Sequence, residues 1–238
     1  MFHEPRNPSS ETPAAPAQPP LDSVHDRLVR VRRRFGERLT LVSALGPQSL
    51  LILDLLAEQG AIPNLAFLDT GAHFAETLSF LGEVEARYGV AIERLAAADP
   101  EPEQWTRDPR ACCAARKVEP LRRHLVRFDA WISGIRADQT EERRAARAIA
   151  WDDGYGLWKV SPLVDWSRPQ VLAALAARGV PTHPLLSRGF ASVGCAPCTR
   201  PSEDERGGRF VGQARRECGI HLAGAPALRP THSFTLGS

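Results

Sequence analysis

The chain has 238 residues, 43% of them hydrophobic, which is enough for one medium α/β domain with appendages and a sizeable core. A formal net charge of only +2 excludes bulk nucleic-acid binding, which needs a strong basic excess, and no apolar run approaches the roughly 18 residues of a membrane span. No charged-then-apolar start marks a secretory signal, and five tightly spaced cysteines, an odd count, point to intracellular metal or redox chemistry rather than a secreted disulfide frame.

Residues 1–20 are rich in Pro, Ala, Ser and Glu and poor in large apolar residues, so they are expected to be disordered. A helix is expected over about residues 23–37, followed by a buried strand over 38–43. Gly46-Pro47 turns the chain, and residues 49–57 carry helical periodicity. A second strand over 65–69 ends in Thr70-Gly71. A helix over about 74–88 and a strand over 90–95 follow. Residues 112–127 suit one helix, 129–133 a strand ending at Gly134, and 158–161 a further short strand. Ser167 is a helix N-cap before Pro169, and Gly179 stops that helix. The alternation predicts an α/β fold with a doubly wound, mostly parallel sheet. Residues 21–200 form that domain, and 201–238, polar and glycine-rich, read as a mobile tail. No internal repeats are visible.

Five features carry chemistry. Ser43-Ala-Leu-Gly46-Pro-Gln-Ser49 lies between a strand and a helix, where exposed backbone N–H groups and a helix N-terminus suit phosphate or sulfate. It is not a Walker A loop, and such a turn also serves as a plain βα connection. Phe67-Leu-Asp69-Thr70-Gly71 ends the next strand, where a nucleotide could lie between two strand ends; an ordinary turn is the alternative. Cys112-Cys113 and Cys195-Ala-Pro-Cys198 make a set of four thiolates. Adjacent cysteines point apart, which is awkward for one zinc ion and easier for the separate iron corners of a cubane, so a 4Fe–4S cluster is favoured and zinc is the alternative. Cys218 stands apart in Glu217-Cys-Gly-Ile-His221, beside Arg215, Arg216 and His221, as a nucleophile with a cation-lowered pKa or as an inert spare thiol. Lys117, Arg136, Arg143, Arg200, Arg206 and Arg209 are candidate grips for phosphate or sulfate. Of 30 Lys+Arg only Lys117 and Lys159 are lysines, so Lys117, four residues after the cysteine pair, stands out.

Together these residues resemble the assimilatory adenylyl-sulfate reductases, in the wider phosphoadenylyl-sulfate reductase family. The resemblance runs in order through Cys112-Cys-Ala-Ala-Arg-Lys117-Val-Glu-Pro-Leu121, Trp131-Ile-Ser-Gly-Ile-Arg136-Ala-Asp-Gln-Thr140 and Lys159-Val-Ser-Pro-Leu-Val-Asp-Trp166. It continues through Gly194-Cys-Ala-Pro-Cys-Thr-Arg-Pro201, Glu203-Asp-Glu-Arg-Gly-Gly-Arg209 and Glu217-Cys-Gly-Ile-His221. It implies an adenine-nucleotide α-hydrolase-like fold related to the ATP pyrophosphatases. It also implies reduction of adenosine 5′-phosphosulfate to sulfite and AMP, with electrons from thioredoxin, in cytoplasmic sulfate assimilation toward cysteine. By the same resemblance Cys112, Cys113, Cys195 and Cys198 are cluster ligands and Cys218 is the nucleophile. Lys117 lies between cluster and substrate, and Arg143, Arg206 and Arg209 bind substrate. Ser43, Gly46 and Ser49 form the phosphate turn, and Leu68 lies in the segment that meets adenine. The family usually has an aromatic run after the arginine matched by Arg209; here only Phe210 stands there. The 3′-phosphorylated nucleotide is the alternative substrate, and a zinc-bound nucleotide-binding module is the alternative outside this enzyme class. The oligomeric state is open, a homo-oligomer included.

Overall fold

The computed structural model describes residues 21–60, 62–213, 217 and 219–221. The disorder expected for residues 1–20 lies outside them.

Six strands form one sheet: β1 (Leu39–Ser43), β2 (Asn64–Asp69), β3 (Glu93–Ala96), β4 (Ala130–Ile132), β5 (Ile149–Asp152) and β6 (Leu157–Val160). Their order is β3-β2-β1-β4-β6-β5. All neighbours run parallel except β5, which lies antiparallel against β6 at the edge. The chain winds outward from β1 to β3, then returns to place β4 on the other side of β1. The strand order therefore reverses between β1 and β4, where a doubly wound sheet opens its ligand crevice.

Period-two alternation divides the core. Leu39, Leu41, Leu65, Phe67, Ala130, Ile132 and Val160 face one layer with helices α1 (Leu21–Phe35), α2 (Pro47–Glu58) and α7 (Arg168–Ala177). Val42, Ala66, Leu68, Leu95 and Trp131 face the other, against Leu121 and Leu125 of α6 (Glu119–Leu125). Helix α3 (Ala75–Tyr88) lends Phe80, Leu81 and Val84 to the first layer. The N-cap expected at Ser167 is there: its N–H donates to Gln170 Oε1 at 2.6 Å. Gly179, with φ +62°, ends the helix in the left-handed region that glycine adopts without penalty.

Two regions depart from expectation. The single helix expected over 112–127 is three pieces: α5 (Pro109–Cys113), a π-helical turn (Ala114–Val118) and α6. Pro120 lacks the N–H that a continuous α-helix would aim at the carbonyl of Arg116, and the wider turn falls just before it. Strand β5 was not expected, and the short helix α4 (Gln104–Arg107) precedes the cysteine helix.

Candidate active site

The site is built where β1, β2 and β4 end. After Ser43 the backbone passes through Leu45 in the left-handed region (φ 56°), an unusual conformation for a buried leucine, before Gly46 caps α2. The serine hydroxyls hold this turn. Leu45 N–H donates to Ser43 Oγ (3.0 Å), Ser43 Oγ donates to Ser49 Oγ (2.9 Å), and Ser49 Oγ donates to Gly46 O (3.0 Å). Pro47 sits in the first turn of α2, where its missing N–H leaves no helix bond unmade. Beyond β4, Gly134 passes so close to α2 that a Cβ there would lie 3.1 Å from Gln48 Cβ and 3.2 Å from Ser49 N.

On the other side of the crevice, Asp108 caps α5 by accepting from Arg110 N–H (3.0 Å) and Ala111 N–H (2.9 Å). Cys112 and Cys113 end this helix, both buried. Arg116, in the π turn, donates to Thr70 O and Glu101 O, both at 2.7 Å, which straps the cysteine segment to the end of β2. Cys112, Cys113, Cys195 and Cys198 line one small cavity with Trp105, Arg116 and Lys117. Among the described residues no three Cys, His, Asp or Glu side chains converge as ligands for a single metal ion. The two sides of the set differ electrostatically. Burial pushes the Cys112 thiol up, and the charge of Cys113 adds to it. Burial also pushes Cys195 up, but Lys117, the hydroxyl of Thr70 and Arg209 outweigh it and bring the thiol below its ordinary value. In its protonated form Cys195 Sγ donates to Thr70 Oγ1 at 3.3 Å.

A cleft of about 190 Å³ opens beside this cavity. Its wall includes every residue that the resemblance assigns to substrate, Ser43, Gly46, Ser49, Leu68, Arg143, Arg206 and Arg209, together with Lys117 and Cys195. Lys117 and Cys195 therefore belong to both cavities. Arg209 lies directly over Gly194, where a Cβ would meet its guanidinium at 2.2 Å. Arg136 and Arg200 are used differently. Arg136 holds Glu205 (Nη2 to Oε2, 2.7 Å) and Asp138 (2.9 Å), and Arg200 donates to the carbonyls of Ala196 and Thr199.

Cys218 lies outside the described residues, but its flanks do not. Glu217 is buried and accepts from Arg143 Nη2 (2.7 Å), Arg206 Nη2 (3.1 Å) and Thr140 Oγ1 (3.0 Å). Ile220 packs against the hydrophobic residues around Leu121 and Trp131 and against those around Cys113 and Phe210. His221 stacks on Trp131 with ring centroids 6.0 Å apart and planes at 14°. Two guanidiniums share one carboxylate, and Glu205 is matched by Arg136. The wall thus keeps an excess of positive charge in Lys117, Arg143, Arg206 and Arg209, which suits a multiply charged anion. Glu205, Glu217, Trp131, His183 and His221 line the cleft and were not singled out as site residues from sequence. Trp131, Glu205, Glu217 and His221 do lie in the short motifs that carry the resemblance, whereas His183 lies in none of them. A larger open groove of about 770 Å³ beside Trp151 and Trp158 shares no lining residue with this cleft and has no such convergence of buried cations.

A family model described as the phosphoadenosine phosphosulfate reductase domain matches residues 38–201. The chain belongs to this family. Curated reductases agree over most of their length: a phosphoadenosine 5′-phosphosulfate reductase of Gloeobacter violaceus is 39% identical over 82% of this chain and 86% of its own. An adenosine 5′-phosphosulfate reductase of Streptomyces coelicolor is 40% identical over 79% and 83%. Among solved structures, a phosphoadenylyl-sulfate reductase from Candida auris, in a phosphate complex, superposes with a TM-score of 0.67 at 25% identity, covering 74% of this chain and 90% of that one. An FMN adenylyltransferase of Candida glabrata, 19% identical with a TM-score of 0.60 over 77% of this chain and 62% of its own, shares the fold alone. The expected adenine-nucleotide α-hydrolase-like fold is the fold observed. The reductase family match spans the serine turn and all four paired cysteines, while Arg206, Arg209 and Cys218 lie beyond it.

Proposed function

We propose that this chain reduces adenosine 5′-phosphosulfate to sulfite and AMP, with a 4Fe–4S cluster on Cys112, Cys113, Cys195 and Cys198, Cys218 as nucleophile and thioredoxin as electron donor. One observation carries the reading: the four-cysteine cavity and the cationic cleft share a wall made of Lys117 and Cys195. Four thiols around one cavity, with no other ligand type among them, suit an iron–sulfur cluster or zinc, and the adjacent pair Cys112-Cys113 favours the separate iron corners of a cubane. When bound, the cluster would supply fixed charge behind Lys117 rather than the reducing electrons, which the thiols provide.

The nucleotide lies across the ends of β1, β2 and β4, with its phosphosulfate facing Arg143, Arg206, Arg209 and the Ser43–Ser49 turn. The Cys218 thiolate attacks the sulfate sulfur. An S–S bond forms, the bond from sulfur to the bridging oxygen breaks, and AMP leaves with that electron pair. The cationic wall stabilises the charge that gathers on the leaving phosphate. Covalent capture splits one hard reduction into two easier steps. A thioredoxin thiolate then attacks Cys218 Sγ, sulfite departs, and the second thioredoxin thiol closes the donor's own disulfide, so two electrons are delivered in all. Thioredoxin, at about −270 mV, is a sufficient reductant. A thiol cycle of this kind belongs in a reducing compartment, which supports a cytoplasmic enzyme; no helix among the described residues is long and apolar enough to cross a membrane.

The test is anaerobic purification, iron and sulfide analysis, and a sulfite assay with thioredoxin on adenosine 5′-phosphosulfate and on its 3′-phosphorylated form. The reading predicts about four iron and four sulfide per chain and sulfite chiefly from the first nucleotide. A zinc-containing, colourless protein would contradict the cluster, and faster turnover of the 3′-phosphorylated form would contradict the substrate.

A further inference from the structure

Lys159, the second of the two lysines, is not surface charge. It lies on β6 directly across from Trp131 in the β4–β6 register, so period-two alternation turns it to the same face of the sheet as that tryptophan. Ala150 of β5 is its partner on the other side, which brings Asp152, two residues on, to the same face. The lysine is half-buried there, its side chain 14% exposed. Its Nζ lies 5.0 Å from the Trp131 ring centroid, 3.6 Å from Asp152 Oδ2 and 3.3 Å from His221 Nδ1. An ammonium has donors and no acceptor, so the imidazole must accept at Nδ1. The other face of the arrangement is the ligand cleft, which His221 lines.

We propose that Lys159 is a positioning residue for the reaction: its bond to Nδ1 holds His221 as the Nε2–H tautomer, a neutral donor seated on Trp131 at the cleft wall. Three positive groups, Lys159, Arg143 and Arg206, bear on this imidazole, and with burial, the largest influence, they keep it well below its ordinary pKa, so a second ring proton is disfavoured. Burial also lowers Lys159, and Asp152 works against that loss of charge. The chain uses Asp152 to keep the lysine charged, the lysine to fix the ring, and Trp131 to set the ring plane.

The inference rests on the proposed reductase reading for its kinetic arm alone. The decisive variant is Lys159→Met, made in the full chain purified anaerobically with its cluster. Nitrogen-15 histidine NMR is expected to show the Nε2–H tautomer at His221 in the parent and in Lys159→Arg, and a mixture of tautomers in Lys159→Met. The kcat/KM for adenosine 5′-phosphosulfate is expected to fall about tenfold to a hundredfold in Lys159→Met, the range for a hydrogen bond to a charged partner, with partial recovery in Lys159→Arg. In a His221→Ala background the same substitution should cost less than twofold, because the lysine acts through the ring. An unchanged tautomer in Lys159→Met, or an equal loss with and without His221, overturns the proposal. Should Lys159→Met fail to fold, Asp152→Asn carries the same NMR readout: an unchanged tautomer there again counts against it, and a mixture supports it. A parent protein that makes no sulfite sinks the reductase reading, while the tautomer still decides the role of Lys159.

Discussion

Glu217 is held between Arg143 and Arg206 with almost no solvent contact, side-chain exposures being 3%, 9% and 10%. Removing one member of such a buried set leaves charge without compensation and costs about 3–5 kcal/mol. That cost falls on docking of the short segment that follows. Glu217→Ala should therefore speed amide exchange in residues 219–221 and lower kcat, while exchange in β1 and β4 is unchanged; protection of 219–221 equal to the parent would contradict this. The same residues explain why the site was partly legible. Cysteine spacing picked out residues that fold to one cavity, because few structures other than metal or redox sites place thiols so, and of the two lysines in an arginine-rich chain Lys117 lines the cleft while Lys159 lies beside it against His221. Arginines gave less. Arg136 and Arg206 look alike in sequence, yet the first is bound to Glu205 and the second reaches the cleft; only the folded chain decides between them.

At the scale of elements, the cysteine helix depends on its cap. Helix α5 has five residues, too few to stand by propensity, and Asp108 satisfies two of its first N–H groups. Asp108→Ala is expected to cost about 1 kcal/mol and to lower iron retained per chain after anaerobic purification, with chemical denaturation and iron analysis as the measurements. Full iron retention in the variant would show that the cap does not serve the proposed cluster site. The strands with strong apolar patterns, β1, β2 and β4, were readable because both faces are buried. Strand β5, Ile149-Ala-Trp-Asp152, was not: every residue is half-buried at the sheet edge, so no pattern distinguishes it from a loop. The π turn escaped for a different reason, since residues 112–127 carry the apolar spacing of one helix and only Pro120 hints at the break.

For the whole molecule, buried histidines set a pH dependence of stability. His183 accepts Leu185 N–H at Nδ1 (3.2 Å) and meets Thr77 Oγ1 at Nε2 (2.9 Å), and His124 Nε2 lies 2.9 Å from Thr40 Oγ1. Burial, the leading cause for both, holds them below the ordinary imidazole value. Between that lowered value and the unfolded value of about 6.5, the unfolded chain binds the extra protons, so stability rises with pH across the window. Urea midpoints should therefore fall as pH is lowered from about 7 toward 5, and His183→Gln should flatten part of the slope. Carboxylates held low by arginine, such as Glu205 and Asp165, lose their contribution only below about 4.5 and do not account for this window. A flat profile would contradict the assignment.

In the proposed reaction four sulfurs hold the inorganic centre while the fifth carries off the substrate's sulfur. Intact-mass analysis tests it most directly. Reduced, cluster-loaded protein is mixed with adenosine 5′-phosphosulfate in the absence of thioredoxin, and the peptides are mapped. One sulfonate group is expected, on Cys218, discharged as sulfite when thioredoxin is added and absent from Cys218→Ser. A sulfonate on any of the paired cysteines, or sulfite released by Cys218→Ser, would contradict it.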